Sequence, residues 1–293
     1  MSQVECIQPP ARPGSARALA WALVLTVVIA VAEVAGGLVS HSLALLADAG
    51  HMVTDAGALG LSLFALWIAR RPPTAEKSFG FYRLEILAAL FNGSLLIGVT
   101  VWITVAAVGR LREAPAIRSG LMLAVALVGL AANLVAVVML HRARHENLNT
   151  RSAYLHILGD TLGSVGTIVA AAVILATGWR PADPLISMVI AALILVSAVR
   201  LVGEAVDVLL EAAPRHLSLA DLTGAIGAVA GVADVHDVHV WTVSNGVVAM
   251  SAHAAVPDPE RHQAALEEIC RRVHGFGIQH VTIQMERETA WHE

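Results

Sequence analysis

Two short segments of this 293-residue chain hold the residue types a metal ion selects. Residues 51–55 read HMVTD and residues 156–160 read HILGD, so His51 with Asp55, and His156 with Asp160, each set an imidazole and a carboxylate four positions apart. On an α-helix such residues share a face and lie about 6 Å apart along the axis, so each segment can offer one nitrogen and one oxygen to a common point. Two nitrogens and two carboxylate oxygens form a four-coordinate set that suits the tetrahedral preference of zinc, while cadmium, cobalt and iron accept overlapping sets. A single pair is as readily explained by an intrahelical hydrogen bond or a packing contact. Two identical pairs in apolar surroundings favour function, because each ionisable group in hydrocarbon costs about 2.5–3.5 kcal/mol. Asp48, three residues before His51 on the same face, reads equally as a partner of the site or proton relay and as a solvated vestibule group.

The elements that must position these residues are long and apolar. Hydrophobic residues make up 57% of the chain and charged residues 14%, with a mean hydropathy of +0.70, which excludes an ordinary soluble domain. Six apolar stretches, at 18–39, 43–69, 84–109, 119–141, 151–177 and 184–211, each reach the roughly 20 residues that cross a bilayer core. The first has no convincing small-residue cleavage site after it and is taken as a membrane helix rather than a leader. Arginines and Lys77 gather before the first stretch, between the second and third, and between the fourth and fifth, which predicts both termini on the cytoplasmic side. With that topology the second and fifth helices run in opposite directions and their His-Asp pairs meet near mid-depth.

Charge arithmetic suggests what such a site would do. Two aspartates with one divalent ion sum to zero, and so do two aspartates with two protonated histidines. Metal can therefore be exchanged for protons without leaving net charge in lipid, near the ordinary imidazole pKa of about 6.5. Asn92 and Asn133 read as interhelical hydrogen-bonding residues, Gly159, Gly163 and Gly166 as small residues for close helix approach, and Glu33 and Glu85 as hydrated groups near helix ends.

Beyond residue 212 the character changes. Residues 1–212 carry 14 basic and 13 acidic side chains, whereas residues 213–293 carry 5 and 10 together with eight of the 13 histidines. No basic surface points to nucleic acid, and acidic groups with imidazoles suit a cation. A helical pattern at 218–230, strands in VHDVHVWTV and VVAMSAHAAV joined at Ser244-Asn245-Gly246, a helix at 258–274 and a strand in HVTIQME predict a small αββαβ domain. The expected organisation is thus a flexible cytoplasmic segment (1–15), a six-helix transmembrane domain (16–212) and a cytoplasmic α+β domain (213–293). Cys6 and Cys270 are too far apart in sequence to argue a disulfide framework and read as free thiols.

The segments SLALLADAGHMVTD, FGFYRLEILAALFNG, HILGDTLGSVG, DPLIS, LLEAAP, HDVHVWTV and HVTIQME, in this order, resemble the cation diffusion facilitator family, in particular its bacterial zinc, cadmium and cobalt exporters. The resemblance runs from about residue 17 to 288. It implies a homodimer with a metal site shared by the second and fifth spans and a ferredoxin-like cytoplasmic domain that binds regulatory metal. Carried over residue by residue, that second site falls on His236, His253, His262 and Glu286, with Gln284 where some relatives have a histidine. His239 and His280 stand between ligand and ordinary surface residue. A charge pairing between Lys77 and Asp207 is similar in placement to one the family uses.

These readings predict a mainly α membrane protein of a bacterial inner membrane, whose partners are divalent metal ions, protons, lipid and a second copy of itself. The expected activity is export of zinc, or of cadmium, cobalt or iron, by metal/proton antiport with alternating access, and zinc is both cargo and regulatory ligand. The alternatives are a membrane metal sensor and a zinc-dependent membrane hydrolase. Four protein ligands leave no open position for activated water, so an enzyme is not expected.

Overall fold

The computed structural model of the chain describes residues 13–68, 76, 80–81, 83–113, 115–143, 148–244 and 247–287. Cys6, Lys77, His145, His292 and the Asn245-Gly246 turn lie outside the described residues, as does most of the N-terminal stretch. Six long helices come first: α1 (Pro13–Ser40), α2 (Leu43–Ile68), α3 (Arg83–Arg112), α4 (Ser119–Ala143), α5 (Leu148–Thr177) and α6 (Ala182–Leu209). Among the described residues four stretches are long and apolar enough to cross a membrane: Leu23–Ser40, Arg83–Arg112, Asp160–Thr177 and Ala182–Leu209. Ser119–Val135 is shorter. α2 carries Asp48, His51 and Asp55 within an otherwise apolar run.

Arg12–Trp67 and Ala88–Val202 form one compact unit. Its interior is rich in small residues, including Ala44, Ala47, Ala126, Ala170 and Ala191, while Val31, Phe91, Val105, Val128 and Val196 point outward. Small residues inside and large apolar ones outside reverse the pattern of a water-soluble bundle and match helices that pack closely in lipid. The start of α2 is fixed from the first turn of α6. Asp183, fully buried, accepts hydrogen bonds from the Leu43 amide (2.8 Å), the Ala44 amide (3.1 Å) and the Ser42 hydroxyl (2.5 Å). A carboxylate on the unpaired N–H groups of a helix start satisfies them and complements the helix dipole. Arg110 approaches the same carboxylate at 3.9 Å and donates to the His41 carbonyl, which holds the left-handed residue His41 (φ 61°) at the α1–α2 turn.

Gly203–Glu293, with Ile68–Leu87, belongs to a second unit. Helix α7 (Leu219–Gly227) is followed by strands β1 (Asp234–Ser244) and β2 (Val247–Ala255), helix α8 (His262–Gly275) and strand β3 (His280–Glu286). The sheet order is β1-β2-β3, with β1 antiparallel to β2 and β2 parallel to β3. A parallel pair needs a crossover, and α8 supplies it. Leu222 and Ile226 of α7 and Ile269 and Val273 of α8 pack on Val240, Met250 and Ala252 of the sheet. Cys270 is half-buried on α8, and that burial pushes its thiol pKa up, so it stays protonated. In this unit Glu85 accepts from Ser244 Oγ at 3.1 Å. Asp207, considered above as a partner for Lys77, accepts from Arg215 at 2.8 Å.

Candidate metal centre

Residues His51 and Asp55 sit one helical turn apart on α2, and Asp160 faces them from α5. His51 Nε2 lies 2.9 Å from Asp160 Oδ1 and 3.6 Å from Asp55 Oδ2. One ligand atom from each of the three residues falls within 4.8 Å of the others, a spacing that a single cation can span. His51, Asp55 and Asp160 are only 16%, 20% and 11% exposed, so carboxylates and imidazole meet inside the bundle. His156 lies on α5 one turn before Asp160, and its side chain lies outside the described residues.

Neighbouring helices hold these ligands in place. Thr54 Oγ1 donates to the His51 carbonyl (2.6 Å), and Asn92 of α3 donates to the Thr54 carbonyl (2.9 Å), pinning the turn of α2 between His51 and Asp55. On α5, Gly163 leaves space for Asp48, since a Cβ there would stand 3.0 Å from Asp48 Oδ1. Ser164 donates to Asp48 Oδ2 (3.1 Å), and Asn133 of α4 donates to Ser164 (3.3 Å). Asp48 is only 4% exposed, so of its two readings the structure supports the buried partner rather than the solvated vestibule group. Glu33 differs from the expectation of a hydrated group near a helix end. It is 1% exposed, two turns inside α1, and among the described residues neither carboxylate oxygen has a hydrogen-bond partner.

In the sheet domain the ligand atoms come from three strands instead of two helices. The register puts His236 of β1 opposite His253 of β2, and His253 beside Gln284 of β3. Glu286, two residues on and therefore on the same face, reaches back to both rings: Oε2 lies 3.3 Å from His236 Nε2 and Oε1 lies 3.0 Å from His253 Nδ1. The two imidazoles meet edge to face, 5.3 Å between centroids. Two imidazoles and a carboxylate within 4.8 Å fit a zinc-type ion by donor chemistry. His262 is not brought to this cluster: its Nε2 donates to the Val256 carbonyl at 2.8 Å at the start of α8. Gln284 donates to Glu286 at 2.8 Å.

Sequence reasoning did not single out Asp237. It occupies a left-handed conformation (φ 51°) where the β1 register shifts between His236 and His239. Asp is among the few residues that tolerate this geometry, so the Asp in HDVH is the signal that was available. The bulge swings its carboxylate to within 3.6 Å of His253 Nε2 and 2.8 Å of His239 Nε2. The hydrogen bond from His239 holds the Asp237 carboxyl below the usual carboxylate range. His239 itself is 65% exposed.

A part-buried His-Asp cluster between apolar helices, with a second His-Glu cluster on an α+β domain, defines a membrane protein of metal-handling type. Residues 19–210 match the cation efflux transmembrane domain and residues 214–288 match the cytoplasmic domain of cation efflux proteins. The chain belongs to the cation efflux, or cation diffusion facilitator, family of transporters. It is similar to the zinc transporter ZitB of Escherichia coli, with 45% identity over 93% of this chain and 88% of the relative. The metal cation efflux system protein CzcD of Cupriavidus metallidurans is 40% identical over 93% of this chain and 87% of the relative. A cadmium, cobalt and zinc/H(+)-K(+) antiporter of Bacillus subtilis is 36% identical over 89% of this chain and 86% of the relative.

Proposed function

We propose that this chain is a homodimeric, six-span secondary transporter that exports zinc, or a similar divalent metal, from the cytoplasm in exchange for protons. The observation that carries the reading is the convergence of His51, Asp55 and Asp160 from two helices into a part-buried cluster. His156, one turn from Asp160 on the same helix, is the fourth ligand of the cargo site. Its two aspartates balance a divalent ion, and its two imidazoles take up protons as the ion leaves, so the site stays near neutral in both loaded forms. α2 carries His51 and Asp55 within an otherwise apolar run, and the hydrogen bond from Asn92 of α3 holds that turn. Both termini and residues 213–293 face the cytoplasm of a bacterial inner membrane. There His236, His253 and Glu286 bind metal as it accumulates, and the sheet domain serves as a regulator. Names of relatives that specify zinc transport and H(+) antiport support the same reading.

Zinc uptake by inside-out vesicles tests it. Uptake by the intact chain is expected to rise with an imposed pH gradient and to be lost in His51→Ala and Asp160→Ala. Unchanged uptake in both variants removes the cargo site as drawn, and indifference of the intact chain to the pH gradient removes proton exchange.

A further inference from the structure

The α2–α5 cluster accounts for His51, Asp55 and Asp160 but leaves Glu33 unexplained. This carboxylate lies two turns inside α1, 1% exposed, with neither oxygen hydrogen-bonded among the described residues. It lines a cavity of about 200 Å³ whose other walls are Ile29 and Ala32 of α1 and Ala124, Val125, Val128 and Gly129 of α4. The charged groups in electrostatic reach are Asp48 on α2 and Asp160 on α5, whereas the residues facing it from α4 are uncharged. An ionised carboxylate among other carboxylates, without a partner and away from bulk water, is the costly form of this side chain, and a proton removes that cost. A residue kept only for packing would not need the acid.

Gly129 marks the way out of the cavity toward the metal site. A Cβ at this position would stand 2.5 Å from Glu33 Oε1 and 3.9 Å from Ser164 Oγ, so the missing side chain leaves a gap that joins the two. Ser164 already donates to Asp48, and Asp48 lies one turn before His51. We propose that Glu33 is a proton-carrying residue of the transport cycle, exchanging its proton with the metal site by way of Ser164 and Asp48. The inference rests on the proton-exchange reading above and adds a proton site outside the metal ligands. Glu33 and Ser164 are not hydrogen-bonded to each other, so a water in the gap beside Gly129 carries the step. As the Glu33 O–H bond breaks, the water takes that proton and gives one of its own to Ser164 Oγ, which passes its hydrogen to Asp48, so Glu33 ends ionised, the water and Ser164 unchanged and Asp48 protonated. A divalent ion beside Asp160 offsets the negative charge that opposes ionisation of Glu33, which ties proton release to metal arrival.

Full-length protein reconstituted in liposomes, as wild type, Glu33→Gln and Glu33→Asp, tests this. Zinc uptake against external pH and proton release on zinc addition are read, with zinc affinity measured in detergent. Glu33→Gln, which mimics the protonated form, is expected to hold zinc within about threefold of wild type. Its pH-driven uptake falls at least about tenfold, and its proton release drops by about one per metal. Glu33→Asp restores uptake with a displaced pH profile. A Glu33→Gln protein with wild-type rate, pH profile and proton release overturns the inference, as does a Glu33→Asp profile that superimposes on wild type if the Gln variant fails to fold. Loss of zinc affinity in both variants makes Glu33 part of the metal site and also overturns it. A wild type that ignores the pH gradient fails the parent reading and this one with it, whereas a pH-driven wild type matched by Glu33→Gln removes only the role of Glu33.

Discussion

The two metal-type clusters of this molecule use the same donors but are assembled in opposite ways. Between α2 and α5, spacing along a helix brings His51 and Asp55 together, and one interhelical contact, His51 to Asp160 at 2.9 Å, joins the halves. On the sheet, His236, His253 and Glu286 are each contributed by a different strand, and the register alone makes them neighbours. The first cluster is enclosed by apolar helices and its ligands are held through Thr54 and Asn92. In the second, His236 and Glu286 are 15% and 12% exposed, as buried as the ligands of the first, and only His253 is more open, at 29%, in reach of Asp237 on a bulge. On the function proposed above the first is a cargo site, which must bind and release its ion among apolar helices, so fixed carboxylates matter there. On the same proposal the second is a regulatory site, and the more open His253 is where an ion would enter it.

Breaking one cluster while reading the other is the sharpest test of this contrast. Asp160→Asn is expected to lower zinc uptake by at least about a hundredfold, the upper range for loss of groups that hold or tune a metal, while one zinc-binding event remains measurable by calorimetry. In that Asp160→Asn background, adding His253→Ala is expected to weaken the remaining event by about 10–100-fold. Loss of both events in Asp160→Asn alone would mean that the clusters are not separate. Next in size is Asp183→Ala, which strips the start of α2 of a buried acceptor for three donors. A destabilisation of about 2–3 kcal/mol is expected from thermal unfolding in detergent, with no change in the sheet-domain event.

The smallest effect lies on α8. Glu268 accepts from Arg272 Nε at 2.9 Å and also pairs with Arg271, and these bonds, that from Arg272 foremost, hold its carboxyl below the ordinary range. Because the folded pKa lies below the unfolded one, the stabilisation is present above about pH 4.3 and fades as pH falls through the folded value. Glu268→Gln should therefore lower the melting midpoint slightly at neutral pH and make no difference in acid. A difference that persists in acid would assign the effect to helix propensity instead.

Much of the architecture is readable from residue patterns because the signals are local. Long apolar runs make the helices, Asn-Gly separates the two strands that pair, and the order αββαβ follows from switching periodicity. His51 with Asp55 is readable for the same reason, since four residues along a helix is a fixed distance. What fails is whatever depends on a neighbour from another element. Glu33 reads as a hydrated helix-end group because nothing in its own segment reveals Gly129 and Ser164 across from it. His262 reads as a ligand by resemblance, yet the turn before α8 commits its ring to the Val256 carbonyl. Asp237 escapes notice because a bulge, not an alternating strand, aims it at His253.

By itself the sequence determined that His-Asp pairs of metal-ligand type lie in apolar helices and that an acidic, histidine-rich α+β domain follows. Helical spacing and hydropathy are properties of contiguous residues, and folding does not alter them. Only the tertiary structure decided that Asp160 reaches His51, that Asp183 fastens α6 to the start of α2, that three strands align His236, His253 and Glu286, and that Glu33 is buried without a hydrogen-bond partner among the described residues. Those facts depend on register and helix approach, which are set by many weak packing contacts between distant segments, and no single segment records them.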